Sequence, residues 1–117
     1  MEISPELTEK IQELQMLERN LQSFSMEKQS LQVEFNESIN ALSEIQKSTG
    51  DVYKILSGLM IKSDKSEIQK ELSEKNKISE LRINSIEKQE KSFEVKADAL
   101  REEINAKISA KEKNNSK

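Results

Sequence analysis

The chain has 117 residues, 33% of them hydrophobic, 3% aromatic and 35% charged, with a formal net charge of −3. That length suits one domain, and the apolar fraction is too low for a thick multilayer core but enough for long helices, whose coiled-coil seam needs only about two positions in seven. Acids and bases are interspersed, so no basic face offers itself to nucleic acid; without Cys or His the chain lacks thiolate chemistry and the commonest general base and metal ligand, and no catalytic, cofactor or metal residue is assigned.

The first predicted element is a helix over 4–49. The opening "MEISPELTEK" has no apolar core of the kind a secretory leader carries; instead Ser4 can cap, Pro5 fits the first helical position, and Glu6 suits the positive end of the helix dipole. Leu7, Ile11 and Leu14 step by four and three. From Leu17 the steps alternate again through Leu21, Phe24, Lys28, Leu31, Phe35, Ser38, Leu42 and Ile45, with a stammer between Leu14 and Leu17 that locally overwinds the supercoil. Lys28 falls on the seam, where its stem is expected to pack and its ammonium to snorkel toward Glu87 or Glu90, fixing register. Gly50 is expected to end the helix as a left-handed terminator.

The next predicted element is a β-hairpin over 51–62, "DVYKILSGLMIK". Gly58 permits the positive φ of a tight turn after Ser57. Tyr53 and Ile55 would share one face and Val52, Lys54 and Leu56 the other, while Leu59 and Ile61 alternate with Met60 and Lys62. Both faces are therefore apolar. A lone two-stranded hairpin is marginal in water and leaves both edges open, and nothing else in this chain can cover it. Hairpins of several chains should pool into a shared sheet or barrel through Val52, Tyr53, Ile55, Leu56, Leu59, Met60 and Ile61. A helix–helix loop without β character is the competing reading of so short an apolar run.

The last predicted element is a helix over 64–110, opened by Asp64 and Glu67 in capping-box spacing. Its stripe is read as Ile68, Leu72, Ser79, Arg82, Ile86, Glu90, Phe93, Ala97, Leu100, Ile104 and Ile108. Ile78, Leu81 and Ile83 sit beside that line, so the buried face there is wider or shifted. Residues 111–117 have no apolar partner and are expected to fray. Folding back about the hairpin pairs Leu42 with Leu72, Leu31 with Ile83, Leu21 with Phe93, Leu17 with Ala97, Leu14 with Leu100, Ile11 with Ile104 and Leu7 with Ile108. Stripes matched along their length favour an intramolecular hairpin of helices: a single, all-α dominated domain, a long antiparallel two-helix coiled coil with one β-hairpin at the bend. No apolar run approaches the roughly 18–20 residues of a membrane span.

The order long helix, "VYKILSGLMIK" at 52–62, long helix, with "IEKQEKSF" at 86–93, resembles the beta-type subunit of prefoldin over about residues 7–108. Family members usually place the turn glycine where Ser57 stands, whereas this chain has Gly58, which leaves the turn type open. The resemblance implies a cytoplasmic, ATP-independent holdase without cofactor. Alpha-type and beta-type subunits would join through their hairpins into a β-barrel platform, in archaea a hexamer of two alpha and four beta chains. The coiled-coil tips would hold unfolded client proteins and pass them to a group II chaperonin. On this chain the tips carry Ile3, Leu7, Ile11, Leu14 and Met16 on one helix and Leu100, Ile104 and Ile108 on the other. Terminal turns open most easily and can then offer these side chains, although the seam members among them also simply close the coiled coil. An inert coiled-coil spacer or adaptor is the alternative, and it would not need a hairpin apolar on both faces.

Overall fold

The computed structural model describes residues 4–115, and the side chains of residues 4–110; Ile3 lies outside the described residues. Four elements follow in order: α1 (Pro5–Lys47), β1 (Val52–Leu56), β2 (Leu59–Ser63) and α2 (Lys65–Asn115). They form two compact units, Met1–Glu27 with Ile86–Lys117 and Lys28–Ser85.

The helix starts are dictated locally. The Leu7 amide donates to Ser4 Oγ at 3.2 Å and the Thr8 amide to the Ser4 carbonyl at 2.9 Å, so Ser4 caps α1 and Pro5 takes the position where a missing N–H costs nothing. At α2 the Asp64 carboxylate accepts the Ser66 amide at 3.3 Å and the Ser66 hydroxyl at 3.1 Å. The end of α1 departs from expectation. Gly50 is not left-handed, since among the described residues only Ser57 and Gly58 have positive φ. Instead the helix stops at Lys47, the Ser48 amide is shared between the carbonyls of Glu44 and Ile45, and Lys65 Nζ donates to the Ser48 carbonyl at 2.7 Å. A side chain from the start of α2 thus satisfies a carbonyl just past the end of α1. At the other end α2 continues through Asn115, past the 110 at which the sequence reading ended it.

In the unit containing both chain ends, the two helices run antiparallel: Glu6 pairs with Lys107 and Lys10 with Glu103. Leu7, Leu17, Ala97 and Ile104 are buried, with Ile11, Leu14, Leu21, Phe24, Phe93 and Leu100 half-buried beside them. Ala97, a small side chain on the seam, has 0% exposure. The Phe24 and Phe93 rings meet edge to face, 5.1 Å between centroids at 74°. Leu21, the expected partner of Phe93, lies one turn earlier on the same seam. The stripe ends differently from the sequence reading: Lys107 is half-buried at the seam position and Ile108 is exposed at 36%. Counting four and three from Ile104 gives Lys107, and the greasier neighbour drew the reading one residue too far.

In the second unit, Leu31, Ser38, Ser79 and Ile83 are buried and Phe35, Leu42, Ile45, Ile68, Leu72 and Asn76 half-buried. Here the seam of α2 is shifted. Ile83 is 8% exposed while Arg82 is exposed, so Ile83 and not Arg82 holds the seam position; Ile78 and Leu81 face outward. The missed residue is Asn76, which continues the alternation from Leu72 to Ser79 and Ile83. Its Oδ1 is buried without a hydrogen-bond partner among the described residues, a cost that a purely apolar seam would avoid.

β1 and β2 pair antiparallel with Leu56 opposite Leu59, Ile55 opposite Met60, Lys54 opposite Ile61, Tyr53 opposite Lys62 and Val52 opposite Ser63. Ser57 at φ 49° and Gly58 at φ 80° make the two-residue connection. Two successive positive φ values define a type I′ turn, whose twist matches that of the strands. The question left open by a glycine at the second turn position is thereby answered: Ser57 takes the left-handed conformation itself, at a cost of about 1–2 kcal/mol that glycine would not incur.

Candidate functional site

The hairpin is bare. Tyr53, Ile55 (68% exposed) and Met60 (73%) form one face with Lys62; on the other, Leu56, Leu59 (66%) and Ile61 are also exposed. Only Val52, Lys54 and Ser63, toward the helix-proximal end, are half-buried. Lys54 is held there by an ion pair to Glu71 of α2 at 2.9 Å, and Lys62 lies 3.6 Å from Asp51. All seven hairpin residues singled out from the sequence therefore lie on one continuous two-stranded element, six of them open to solvent. Apolar side chains clustered this densely on a surface make the hairpin the candidate interaction surface of the chain.

The unit that holds the start of α1 and the end of α2 is built differently. Leu7, at 2% exposure, and Ile104 are sealed in the seam, and Ile11, Leu14 and Leu100 are half-buried. Met16 (63%) and Ile108 stand outside it, as does Val95 on α2. Of the described residues singled out at this end, then, two are open and five are engaged in closing the helix pair.

Charged residues flank this seam on both sides, a feature the apolar pattern did not reveal. Lys10 and Glu103, each just before a seam residue, form an ion pair on one flank; Glu18 and Arg101, each just after one, approach to 3.3 Å on the other. Arg101 also binds Asp98 at 2.7 Å, and Lys107 binds Glu6, in the first turn of α1, at 2.5 Å. The Lys107 hydrogen bond and charge hold the Glu6 carboxyl below its ordinary 4.5, and the Glu103 hydrogen bond raises the Lys10 ammonium above 10.5. The Glu6 contribution is therefore present above 4.5 and lost as pH falls through its lower folded value; the Lys10 contribution is present below 10.5 and lost as pH rises through its higher one. Near neutrality both pairs are intact. The signal available in sequence was positional: residues beside seam positions on facing helices pair by charge.

Among the described residues no helix is long and apolar enough to cross a membrane. Grooves along the helices, such as the one of about 420 Å³ lined by Gln32, Phe35, Asn36, Glu80 and Ile83, are open clefts between side chains.

Comparison with known proteins agrees with this architecture. The sequence model of the family described as "Prefoldin subunit" matches residues 8–111. Prefoldin subunit beta of Pyrococcus furiosus is 33% identical over 106 residues, 89% of this chain and 91% of its own length. The Thermococcus onnurineus subunit beta is 36% identical over 104 residues, 87% of this chain and 90% of its own. The crystal structure of the prefoldin beta subunit from Thermococcus strain KS-1 superposes with a TM-score of 0.80 at 32% identity, covering 90% of this chain and 94% of that one. The beta2 subunit of the same strain, 22% identical with a TM-score of 0.67 over 74% of this chain and 95% of that one, shares the fold. On its two long helices, the one β-hairpin among its described residues and these likenesses together, the chain belongs to the prefoldin subunits, a family of chaperones, and among them to the beta type.

Proposed function

We propose that this chain is the beta-type subunit of a hetero-oligomeric, ATP-independent holdase in the cytoplasm. Its hairpin joins those of alpha-type subunits and further beta copies in a β-barrel platform, a hexamer of two alpha and four beta chains. The coiled-coil tips, formed by the start of α1 and the end of α2, hold unfolded proteins, which pass to a group II chaperonin. Binding and release of apolar chain segments involve no bond making, so the chain acts without catalytic residue, cofactor, nucleic acid or membrane.

The observation that carries this reading is the uncovered hairpin: six apolar side chains exposed on the two faces of a two-stranded element. Alone, such an element gains too little from its own pairing to persist with open edges. Adding neighbouring strands pairs the edges and buries both faces at once.

At the other end, a modest grip is what unfolded clients require. Met16, Val95 and Ile108 offer apolar contact without any opening of the seam, and each is worth at most roughly 1.5–3 kcal/mol on burial. Leu7, Ile11, Leu14, Leu100 and Ile104 supply more when the end turns part, and Ile3, outside the described residues, belongs to the same proposed set. Several such tips on one platform bind through effective concentration while each contact releases quickly.

Replacing Met16, Val95 and Ile108 together by Ser is expected to leave the oligomer's mass unchanged. Capture of a chemically unfolded client, read from suppression of its aggregation, should weaken by roughly tenfold or more, because several tips lose contacts at once. Undiminished suppression by an intact oligomer would remove client binding from this end of the helices.

A further inference from the structure

We propose that the ion pairs around the seam at the chain-terminal end form a clasp, set by ionic strength, that controls how often the apolar residues beneath it open. The proposal rests on the reading of these ends as client sites and adds their regulation. Three cross-helix pairs lie within one region of the fold: Glu6 with Lys107, Lys10 with Glu103, and Glu18 with Arg101. Beneath them lie the sealed Leu7, Leu17 and Ile104 and the half-buried Ile11, Leu14 and Leu100.

Two features make this more than scattered surface charge. The pairs sit on both flanks of the seam, so parting the helices on either side breaks at least one of them. Lys10 and Lys107 are also partly buried, their side chains 24% and 34% exposed, so each lays its methylene stem along the seam while its ammonium reaches a carboxylate on the facing helix. When such a pair breaks, the stem leaves with it and the apolar cover is lost. The carboxylates remain well hydrated, at 52% and 69% side-chain exposure, so the attraction is weak enough for salt to modulate. Raising salt from ~0.1 M to ~1 M shortens the screening length from about 10 Å to about 3 Å.

The inference has a signature that loss of helix propensity or of packing does not share, namely the sign of the salt response. Hydrogen exchange of backbone amides in 14–17 and 97–104, measured by mass spectrometry on the full chain, is expected to quicken with salt in the parent. In Glu103→Lys, attraction across one flank becomes repulsion. Exchange there should be roughly threefold to tenfold faster at low salt, the scale of a few surface charge interactions, and should slow as salt rises. Combining Lys10→Glu with Glu103→Lys should restore the parent's rate and the parent's sign, while amides around Leu31 and Ile83 stay unchanged throughout. Exchange that is indifferent to Glu103→Lys, or a salt response of the same sign in parent and variant, overturns the clasp. Capture of reduced, unfolded α-lactalbumin by the same proteins distinguishes the two layers of the account. If exchange follows charge as stated but capture does not follow exchange, the clasp stands and client binding at this end fails.

Discussion

Replacing Ile55 and Met60 together by Asp is expected to abolish association through the hairpin while leaving the helical content of the chain unchanged. The two residues are direct cross-strand partners, and at 68% and 73% exposure they touch little else in their own chain. Their removal therefore costs the isolated chain little packing, although two like charges placed opposite each other weaken the hairpin itself. In a shared barrel both carboxylates would have to leave water, which costs several kcal/mol per ion without a partner. At 1.4 kcal/mol per factor of ten, association should fall by at least about a hundredfold. The companion variant, Ile55→Thr with Met60→Thr, keeps strand-favouring residues and adds no charge, so it separates loss of the apolar face from loss of the hairpin. It should associate more weakly than the parent and more strongly than the Asp pair. Sedimentation with far-ultraviolet circular dichroism reads both quantities; a doubly Asp-substituted chain that assembles like its parent would show that this face is not the contact.

A second large effect is expected two residues apart on α2. Ile83→Ala should lower stability toward urea by about 2–4 kcal/mol, whereas Leu81→Ala should change it by no more than about 0.5 kcal/mol. Both are branched aliphatics on the same helix and differ in composition by nothing, but one is 8% exposed and the other 68%. A two-helix seam has no second layer behind it, so a cavity at Ile83 cannot be filled by a neighbouring element. Equal losses from the two substitutions would mean that the seam is not where this structure puts it.

That pair also marks where the sequence was hard to read. In α1 every four-three position from Leu7 to Ile45 is buried or half-buried, because apolar residues occupy nearly all of them and polar ones, Lys28 and Ser38, fall singly between. In α2 the same rule was obscured by two polar seam residues close together, Asn76 and Ser79, with three aliphatics beside them. The stripe drawn through Arg82 set Ile78, Leu81 and Ile83 alike beside it; strict counting through Asn76 points at Ile83, the residue that folding back pairs with Leu31. The end of α2 misled in the same way, since Ile108 is greasier than Lys107 yet Lys107 holds the seam and covers it with its stem. Gly50 suits a left-handed helix terminator by its type alone but does not take that conformation, and the carbonyl past the helix end is satisfied by a lysine from another element, which no local pattern encodes. The hairpin was legible down to its turn residues, because strand-favouring residues, a glycine and an abrupt change of period coincide there. The charged flanks at the helix ends are not legible in the sequence because charged residues, 35% of the chain, recur along both helices; only the facing helix decides which charges meet.

Both ends of the account depend on the hairpin needing partners. The most direct measurement is the native mass of the unsubstituted chain at micromolar concentration, alone and mixed with an alpha-type prefoldin subunit. The account predicts oligomers built through the hairpin, with alpha-type chains entering the complex on mixing and Tyr53, Ile55 and Met60 becoming protected from solvent labelling. A folded, soluble monomer that stays single in the presence of the alpha-type subunit, its hairpin labelled as freely as the structure exposes it, would contradict the account at its base.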